Sequence, residues 1–466
     1  MGGFFGVAAK DNCLADLFYG TDYHSHLGTK RGGLAVLGDK GFIRVIHSIE
    51  NAQFRSKFDP DLERLGGRSG IGVISDTDDQ PLLIRSHLGD YAIATVGVVA
   101  NAEALAREAF RQRRIHLSEM GSGDINPTEV VASLIDMEDS FEAGMRRALA
   151  AIEGSCSLLL LTRDGIYAAR DRRGRTPVVI GRKDGAMAVT FETCALPNLD
   201  FQPEKFLGPG EIAFVSADGW ESRKPPEERL QICSFLWVYY GYPASTYEGI
   251  NVEEVRNRCG AALARRFPAD VDFVAGIPDS GIGHGLGYAT EAGLPFKRPF
   301  VKYSPTWARS FMPQHQEVRD LVARMKLIPI HELIAGRRIL FCEDSIVRGT
   351  QLGDTIRRLY DAGAEEIHMR PACPPLLYGC KFLNFSRSRS VMDLATRKAI
   401  RDLAGAHGND PVAFARAGTP AYGAMEEWIR CQLGLTTLKY QVLDDLVAAI
   451  GLPKSRLCTY CWDGVE

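Results

Sequence analysis

Apolar residues follow different patterns in the two halves of the chain. In the first half the apolar runs are short and strand-like, and amphipathic helical stretches lie between them. The predicted strands are Phe4–Ala8, Tyr91–Val99, Cys156–Leu161 and Met187–Phe191, and the predicted helices are Ala102–Arg111 and Phe141–Ile152. This mixture is typical of stacked sheets flanked by helices, an α+β architecture.

In the second half, strands and helices alternate. The predicted strands are Phe273–Ile277, Ile339–Cys342 and Glu366–Met369, and Thr355–Ala362 has a helical pattern. Alternation of this kind predicts a doubly wound parallel sheet, an α/β architecture. The charged segment Glu221–Arg229, which contains Pro225 and Pro226, separates the two patterns. We therefore predict two domains, residues 1–228 and 229–466.

Composition excludes several classes of protein. The 466 residues are 45% hydrophobic and 24% charged, as in ordinary globular proteins. A net charge of -3 provides no basic surface for nucleic acid or for an acidic membrane. No apolar run reaches membrane-spanning length and no signal peptide is recognisable, so we expect a cytoplasmic protein.

The segment RRILFCEDSIVRGT, Arg337–Thr350, has the sequence of a strand that runs into two acids and then a loop that opens a helix. Glu343 and Asp344 fall at the carboxyl end of the strand, where open α/β sheets bind ligands. The small and hydroxyl residues from Ser345 to Thr350 allow backbone N–H groups to face a phosphate. No Gly-Lys-Ser/Thr triplet is present, so this is not a Walker A loop. The alternative interpretation is a solvated acidic strand end before an ordinary helix cap.

This segment resembles the phosphoribosyl-diphosphate (PRPP) motif of type I phosphoribosyltransferases. Its EDSIVRGT sequence is similar to that of amidophosphoribosyltransferases. The resemblance implies that Glu343 and Asp344 hold the ribose and, with PRPP, a Mg²⁺ ion. It also implies that a second strand-to-helix turn, Gly276–Gly281, cradles the pyrophosphate, although on residues alone an ordinary turn is the alternative. The implied PRPP-binding residues are Asp279, Ser280, Gly281, Ser345, Ile346, Val347, Arg348, Gly349 and Thr350.

The basic stretch from Lys302 to Leu327 resembles the family's mobile active-site loop. Arg309, Arg324 and Lys326 match its basic positions, and Arg309 and Lys326 are the predicted catalytic cations, which would neutralise charge on the departing pyrophosphate. The opening of the stretch, Lys302-Tyr303-Ser304-Pro305, departs from the family pattern.

Eleven cysteines without a secretory signal indicate reduced thiols rather than a disulfide framework. A CxxC pair, Cys458 and Cys461, has a spacing that lets two thiolates reach one metal centre, and on residues alone a redox pair or two buried thiols is an equal alternative. The resemblance adds Cys233 and Cys380 to this pair as ligands of a [4Fe-4S] cluster, and zinc on the same four thiolates stays open. The remaining cysteines are predicted to be small buried hydrophobes: Cys13, Cys156, Cys194, Cys259, Cys342, Cys373 and Cys431.

The first half resembles the family's glutaminase domain, of the four-layer N-terminal-nucleophile type, but departs from it at the reacting residues. Gly2 stands where the family has its Cys nucleophile. Val73–Asp76 replaces the segment whose Arg holds the glutamine carboxylate, and Thr95-Val96-Gly97 replaces the His-Asn-Gly of the oxyanion hole. Arg31–Gly33, Asn101, Asp171–Pro177 and Glu192–Ala195 still resemble fold-bearing segments. We therefore predict a retained scaffold without glutaminase activity.

The resemblance as a whole implies an enzyme in which ammonia or another amine displaces pyrophosphate from PRPP, giving phosphoribosylamine for purine nucleotide synthesis. Its expected partners are PRPP, the amine, an amine-delivering protein, and further copies of itself as a dimer or tetramer. Two alternatives stay open: a non-catalytic PRPP-sensing regulator, and a phosphoribosyltransferase that uses another acceptor, such as a nucleobase.

Overall fold

A computed structural model describes residues 2–76, 78–111, 117, 120–121, 124–302, 327–383, 390–404 and 410–466. In these ranges no helix combines the length and the apolar character needed to cross a bilayer.

Two antiparallel sheets form the centre of the first half. The strands of the seven-stranded sheet, in spatial order, are Gln202–Phe206, Val179–Lys183, Ala186–Thr190, Gly2–Ala9, Ser69–Ser75, Arg31–Gly38 and Gly41–Ser48. Those of the six-stranded sheet are Gly219–Lys224, Ile212–Ser216, Ile166–Ala169, Gly154–Leu161, Gly89–Val99 and Leu82–Ser86. A short pair, Met120–Gly121 with Asp124–Ile125, lies apart from both.

Helices cover the outer faces of both sheets. They are Leu14–Asp22, Phe54–Phe58, Ala102–Arg111, Pro127–Ile135 and Phe141–Ala151, with 3₁₀ turns at Asp59–Arg64, Thr193–Ala195 and Pro197–Leu199. Alternate residues of the central strand reach different cores: Phe4 packs between the two sheets, whereas Phe5 packs under the first helix. A third core lies between the six-stranded sheet and the last two helices. The result is the four-layer helix–sheet–sheet–helix arrangement that the sequence predicts.

The second half contains a parallel sheet. Its strands, in spatial order, are Phe273–Gly276, Arg338–Glu343, Glu366–Pro371 and Thr437–Leu438. Val274 also forms a parallel bridge to Phe296 on the other side of the first strand. The chain therefore winds to one side of Phe273–Gly276 and then to the other, as in a doubly wound fold. The winding direction reverses between the first two strands, and this switch point is where such folds bind ligands.

Helices and short pairs complete this half. The helices are Val252–Arg266, Gly281–Ala292, His331–Ile334, Thr350–Asp361, Ala395–Ala404, Pro420–Leu433, Leu443–Ile450 and Tyr460–Asp463. A π-helical turn spans Leu236–Tyr240, and 3₁₀ turns span Val391–Asp393, Pro411–Phe414 and Lys454–Arg456. The short strand pairs are Ile232–Cys233 with Leu457–Cys458, Thr246–Tyr247 with Ile250–Asn251, and Phe300–Lys302 with Leu327–Pro329.

A buried carboxylate joins the two halves. Glu192 accepts hydrogen bonds from the backbone N–H of Tyr242 at 3.1 Å and from the Tyr247 hydroxyl, and it lies 2.8 Å from the His26 ring. Burial opposes ionisation of Glu192, but the charge and hydrogen bond of His26 and the Tyr247 bond prevail, and the pKa of Glu192 falls to about 2. The carboxylate therefore stays charged at the contact between the halves.

Two expectations need correction. The segment Glu221–Arg229 is only partly a connection, because its residues up to Lys224 belong to a strand that pairs with Ile212–Ser216. The domain boundary at residue 228 stays a prediction. Cys431 is exposed rather than buried, since it lies on the solvent face of helix Pro420–Leu433 beside Arg430.

Candidate active site

Glu343 and Asp344 lie at the carboxyl end of strand Arg338–Glu343, and both are buried. Asp344 accepts hydrogen bonds from the hydroxyl groups of Ser280 and Ser345, each at 2.6 Å. Burial, and after it the neighbouring Asp344 carboxylate, raises the pKa of Glu343 well above its usual value. A cation bound beside the two carboxylates would relieve this cost.

The turn Gly276–Gly281 lies against the acid pair across the switch point. A Cβ atom on Gly281 would lie 2.4 Å from the carbonyl oxygen of Cys342, so a larger residue does not fit here without a shift. The Ser280–Asp344 hydrogen bond joins this turn to the first loop. The Asp279 carboxylate pairs with Lys302, the first residue of the basic stretch. Two loops that are distant in sequence therefore form one polar surface.

Residues 345–350 form the loop that the sequence predicts. Ile346 is buried, Val347 lines the adjoining cavity, and Gly349 has a φ of 77°, in the left-handed region that glycine adopts at little cost. The helix begins at Thr350 rather than at Thr355, the start of the periodic pattern. Its first backbone N–H groups are therefore placed to face an anion at this loop.

A cavity of about 330 Å³ opens beside the acid pair. Its lining is largely aromatic and apolar and comprises Phe235, Tyr239, Tyr240, Asp344, Ser345, Val347, Leu376 and Cys461. The tyrosines belong to the turn Leu236–Tyr240, which the buried Arg256 side chain holds in place. Arg256 donates to the carbonyl oxygens of Trp237, Tyr239 and Gly241 at 3.0, 3.0 and 2.9 Å.

Arg309, Arg324 and Lys326 lie outside the described residues. Their catalytic role stays a prediction.

In the first half, Gly2 is the first residue of the central strand Gly2–Ala9 and lies opposite Ser75. A Cβ atom on Gly2 would lie 2.1 Å from the carbonyl oxygen of Ile74. This position therefore has neither a nucleophile nor, with this backbone, the space for one.

Polar groups at the positions that match the family's oxyanion and clamp segments have hydrogen-bond partners within the protein. The Thr95 backbone N–H donates to Gln80 Oε1 at 2.7 Å, and the hydroxyl groups of Thr95 and Thr128 are 2.6 Å apart. All three side chains are buried. Ser75, where the family has the clamping Arg, accepts a hydrogen bond from the Asp78 backbone N–H at 3.3 Å. This network satisfies its own members without a ligand.

The four predicted cluster ligands converge. Cys233, Cys380, Cys458 and Cys461 line one cavity at the contact between the two halves. Cys233 and Cys458 are register partners in their short parallel pair, and the Leu383 backbone N–H donates to Cys380 Sγ at 3.3 Å. The carbonyl oxygen of Cys461 accepts hydrogen bonds from residues 377 and 378. We refer to these residues as the four-cysteine site.

The donor set of this site fits an iron–sulfur cubane, which takes four thiolates. The cavity that the four side chains line is about 10 Å³. Among the described residues, no three or more His, Cys, Asp or Glu side chains are arranged to hold a single metal ion. By ligand type alone, four thiolates suit either a cluster or one zinc ion. Burial raises the pKa of the Cys233 thiol, a cost that metal binding offsets.

Known proteins match both halves of the chain. Residues 68–198 match the family model described as a glutamine amidotransferase domain. The amidophosphoribosyltransferase of Methanocaldococcus jannaschii is 30% identical, over 100% of this chain and 97% of that protein. The chloroplastic amidophosphoribosyltransferase of Glycine max is 34% identical, over 84% of this chain and 69% of that protein.

The chain belongs to the amidophosphoribosyltransferase family. The solved structure of the glutamine PRPP amidotransferase from B. subtilis, complexed with ADP and GMP, superposes with a TM-score of 0.84 at 26% identity. The superposition covers 99% of this chain and 96% of that chain, so the family fold extends through both halves.

Sequence reasoning missed several residues that the fold brings to these sites. In the sequence, the tyrosines of Leu236–Tyr240 are part of an aromatic run after Cys233, which does not indicate that they line a cavity. Nothing in the sequence around Arg256 indicates that its side chain is buried. Arg175, in the segment Asp171–Pro177, was assigned to the scaffold, yet its side chain lines the four-cysteine cavity. A buried arginine cannot be told from an exposed one by sequence alone.

Proposed function

We propose that this member of the amidophosphoribosyltransferase family transfers the phosphoribosyl group of PRPP to ammonia in purine nucleotide synthesis, without a glutaminase activity of its own. The observation that carries the proposal is the Ser280–Asp344 hydrogen bond, which joins the two predicted PRPP loops at the switch point of the sheet. The names of the relatives support the transferase reaction.

In the proposed reaction, the nitrogen of neutral ammonia attacks C1 of the ribose. The C1–N bond forms as the C1–O bond breaks, the pyrophosphate leaves with the electron pair, and the attacking nitrogen loses a proton to solvent. Asp344 and Glu343 hold the ribose hydroxyl groups, and the N–H groups at residues 345–350 hold the 5′-phosphate. The aromatic wall formed by Tyr239 and Tyr240 limits water at the reacting carbon.

A Mg²⁺ ion, when bound with PRPP, supplies positive charge to the leaving pyrophosphate. Glu343 and Asp344 are the carboxylates placed to hold it. The raised pKa of Glu343 supports this assignment, because a cation would stabilise the ionised pair.

The absence of glutaminase activity is supported by Gly2 and by the closed network of Gln80, Thr95 and Thr128. Ammonia would come from solution or from an amine-delivering protein. We further propose a [4Fe-4S] cluster at the four-cysteine site, and a cytoplasmic dimer or tetramer as the form of the enzyme. The cluster proposal is supported by the convergence of the four thiols.

Pyrophosphate release from Mg-PRPP by anaerobically purified protein tests this function. We expect release with ammonium at mildly alkaline pH and none with glutamine, and the Asp344→Asn variant should be inactive with both. Release with glutamine would overturn the interpretation of Gly2. If neither amine gives release while PRPP still binds, the protein is a PRPP-sensing regulator or uses another acceptor, and assays with nucleobases separate these two.

A further inference from the structure

We propose that Arg175, supplied by the glutaminase-like half, is the charge-compensating residue of the four-cysteine site. Its positive charge stabilises an anionic metal–thiolate centre whose four cysteines belong to the transferase-like half. This inference rests on the proposed metal centre but not on the transferase reaction. It gives the glutaminase-like half a role that needs no nucleophile.

The Arg175 side chain is only 6% exposed and lines the same cavity as all four cysteines. Its guanidinium carbon lies 3.6 Å from the centroid of the Phe382 ring. Its hydrogen bonds to Ser155 and Gln231 are long, 3.4 and 3.5 Å. Among the described residues its Nε has no hydrogen-bond partner, and the side chain also forms a hydrogen bond with the Cys458 thiol, one of the four cysteines.

A buried cation without an anion is costly. Removing a guanidinium from water carries a large desolvation penalty, and a ring face, two long hydrogen bonds and a neutral thiol offset only part of it. The cost disappears when an anion occupies the adjoining cavity. Four thiolates around a cubane core or around one zinc ion carry a net charge of about −2, so either centre provides the missing partner.

The backbone of the loop that carries Arg175 is held by hydrogen bonds to Asp171. The buried Asp171 carboxylate accepts hydrogen bonds from the backbone N–H groups of Arg173, Arg175 and Thr176, at 3.2, 3.1 and 2.9 Å, and from the Thr176 hydroxyl. These bonds occupy both carboxylate oxygens of Asp171, so Asp171 stabilises the loop backbone rather than the Arg175 guanidinium.

The same loop is tied directly to a predicted metal ligand. The backbone N–H of Cys233 donates to the carbonyl oxygen of Arg175 at 3.2 Å, and the Gln231 N–H donates to that of Arg173 at 2.7 Å. The backbone of Arg175 is therefore held at a fixed position relative to Cys233. This connection predicts that metal binding and the contact between the halves stabilise each other.

The test uses the full-length protein, reconstituted anaerobically with iron and sulfide or, separately, with zinc. Arg175→Gln removes the charge and keeps a hydrogen-bond donor, whereas Arg175→Lys keeps the charge. Arg172→Gln is the matched control, because Arg172 is an exposed arginine of the same loop that pairs with Glu227 at 3.6 Å. The readouts are the rate of metal loss to a chelator and, for the iron–sulfur form, the one-electron reduction potential.

We expect Arg175→Gln to lose metal at least tenfold faster than Arg172→Gln, with Arg175→Lys close to wild type. Removing a positive charge disfavours the more negative reduced cluster. The reduction equilibrium should therefore fall about tenfold, equivalent to 59 mV for one electron. A role in packing alone would leave this potential unchanged.

Three results would overturn the inference: equal metal loss from Arg175→Gln and Arg172→Gln, equally fast loss from Arg175→Gln and Arg175→Lys, or a wild-type protein that binds neither iron nor zinc. The transferase proposal is judged separately, by pyrophosphate release. If Arg175→Gln loses metal faster but the wild-type protein shows no transferase activity, the role of Arg175 at the four-cysteine site is supported and the proposed transferase function is rejected.

Discussion

The polar groups of the two family sites have different partners. In the transferase-like half, Asp344 is buried but borders a cavity of about 330 Å³. In the glutaminase-like half, Thr95, Gln80 and Thr128 are buried and bond to one another. The first arrangement leaves space and charge for a ligand. The second resembles the interior of any folded protein, where buried polar groups satisfy each other.

The glutaminase-like half keeps the family fold although Gly2 stands at the position that matches the family's nucleophile. The strand that begins at Gly2 is still needed, since Phe4 and Phe5 on it fill two separate cores. The residues that anchor this strand in the fold are therefore different from the residue at its start.

The largest effect is expected from Asp344→Asn. The substitution removes a charge that faces the proposed ribose and Mg²⁺ site, so ammonium-dependent pyrophosphate release should fall about 100-fold or more. Steady-state assays with saturating PRPP measure this. Asp361→Asn, an exposed acid at the end of the helix that follows the loop, is the control and should retain activity. A less than tenfold loss in Asp344→Asn would place the reaction elsewhere.

Gly2→Cys tests whether the glutaminase-like half lacks only its nucleophile. The new Cβ would lie 2.1 Å from the Ile74 carbonyl oxygen, so the strand must shift, at a cost of about 1–3 kcal/mol in the free energy of unfolding. We expect no glutamine hydrolysis, because the clamp and the oxyanion donor are also absent. Gly2→Ala should be destabilised equally, as denaturant unfolding can show. Glutamate release by Gly2→Cys above the Gly2→Ala background would show that the pocket still binds glutamine.

Thr128→Val tests whether the Thr95–Thr128 network is purely structural. Loss of the buried hydroxyl should lower the free energy of unfolding by about 1–3 kcal/mol and leave ammonium-dependent pyrophosphate release unchanged. Thr128→Ser keeps the hydroxyl and should lose less stability. A loss of transferase activity in Thr128→Val without a loss of stability would contradict the interpretation that the Thr95–Thr128 network is structural and separate from the proposed PRPP site.

The last prediction concerns the pH dependence of stability at Glu343. Because burial raises the pKa of Glu343 above its usual 4.5, the folded protein keeps a proton there that the unfolded chain has released. As pH rises above 4.5, this group therefore lowers the free energy of unfolding, by up to about 1.4 kcal/mol per pH unit. In Glu343→Gln this contribution is absent, so the variant should gain stability relative to wild type as pH rises above about 4.5. Urea unfolding at several pH values, without PRPP or Mg²⁺, measures this, and parallel pH profiles would refute it.

Contiguous features were predictable from sequence. The strand, acid pair and loop of Arg337–Thr350 follow one another along the chain, so their order alone places them at the end of a parallel strand. The predicted strands of both halves are confirmed, and most are continuous apolar runs because they are buried on both faces. The sequence pattern placed the start of helix Thr350–Asp361 too late, at Thr355, for a local reason. The residues before Thr355 lack the apolar periodicity of a helix, and only Gly349 marks where the loop ends.

The sequence by itself determined the strand-to-helix motifs, the family resemblance and the absence of a side chain on Gly2, because each depends on neighbouring residues or on residue identity. Only the tertiary structure decided that Ser280 bonds to Asp344, that four distant cysteines share one cavity, and that Arg175 faces them. Cys431 was misjudged for the same reason. Contacts between residues far apart in sequence depend on how sheets and helices pack, and burial is a property of that packing rather than of the residue type.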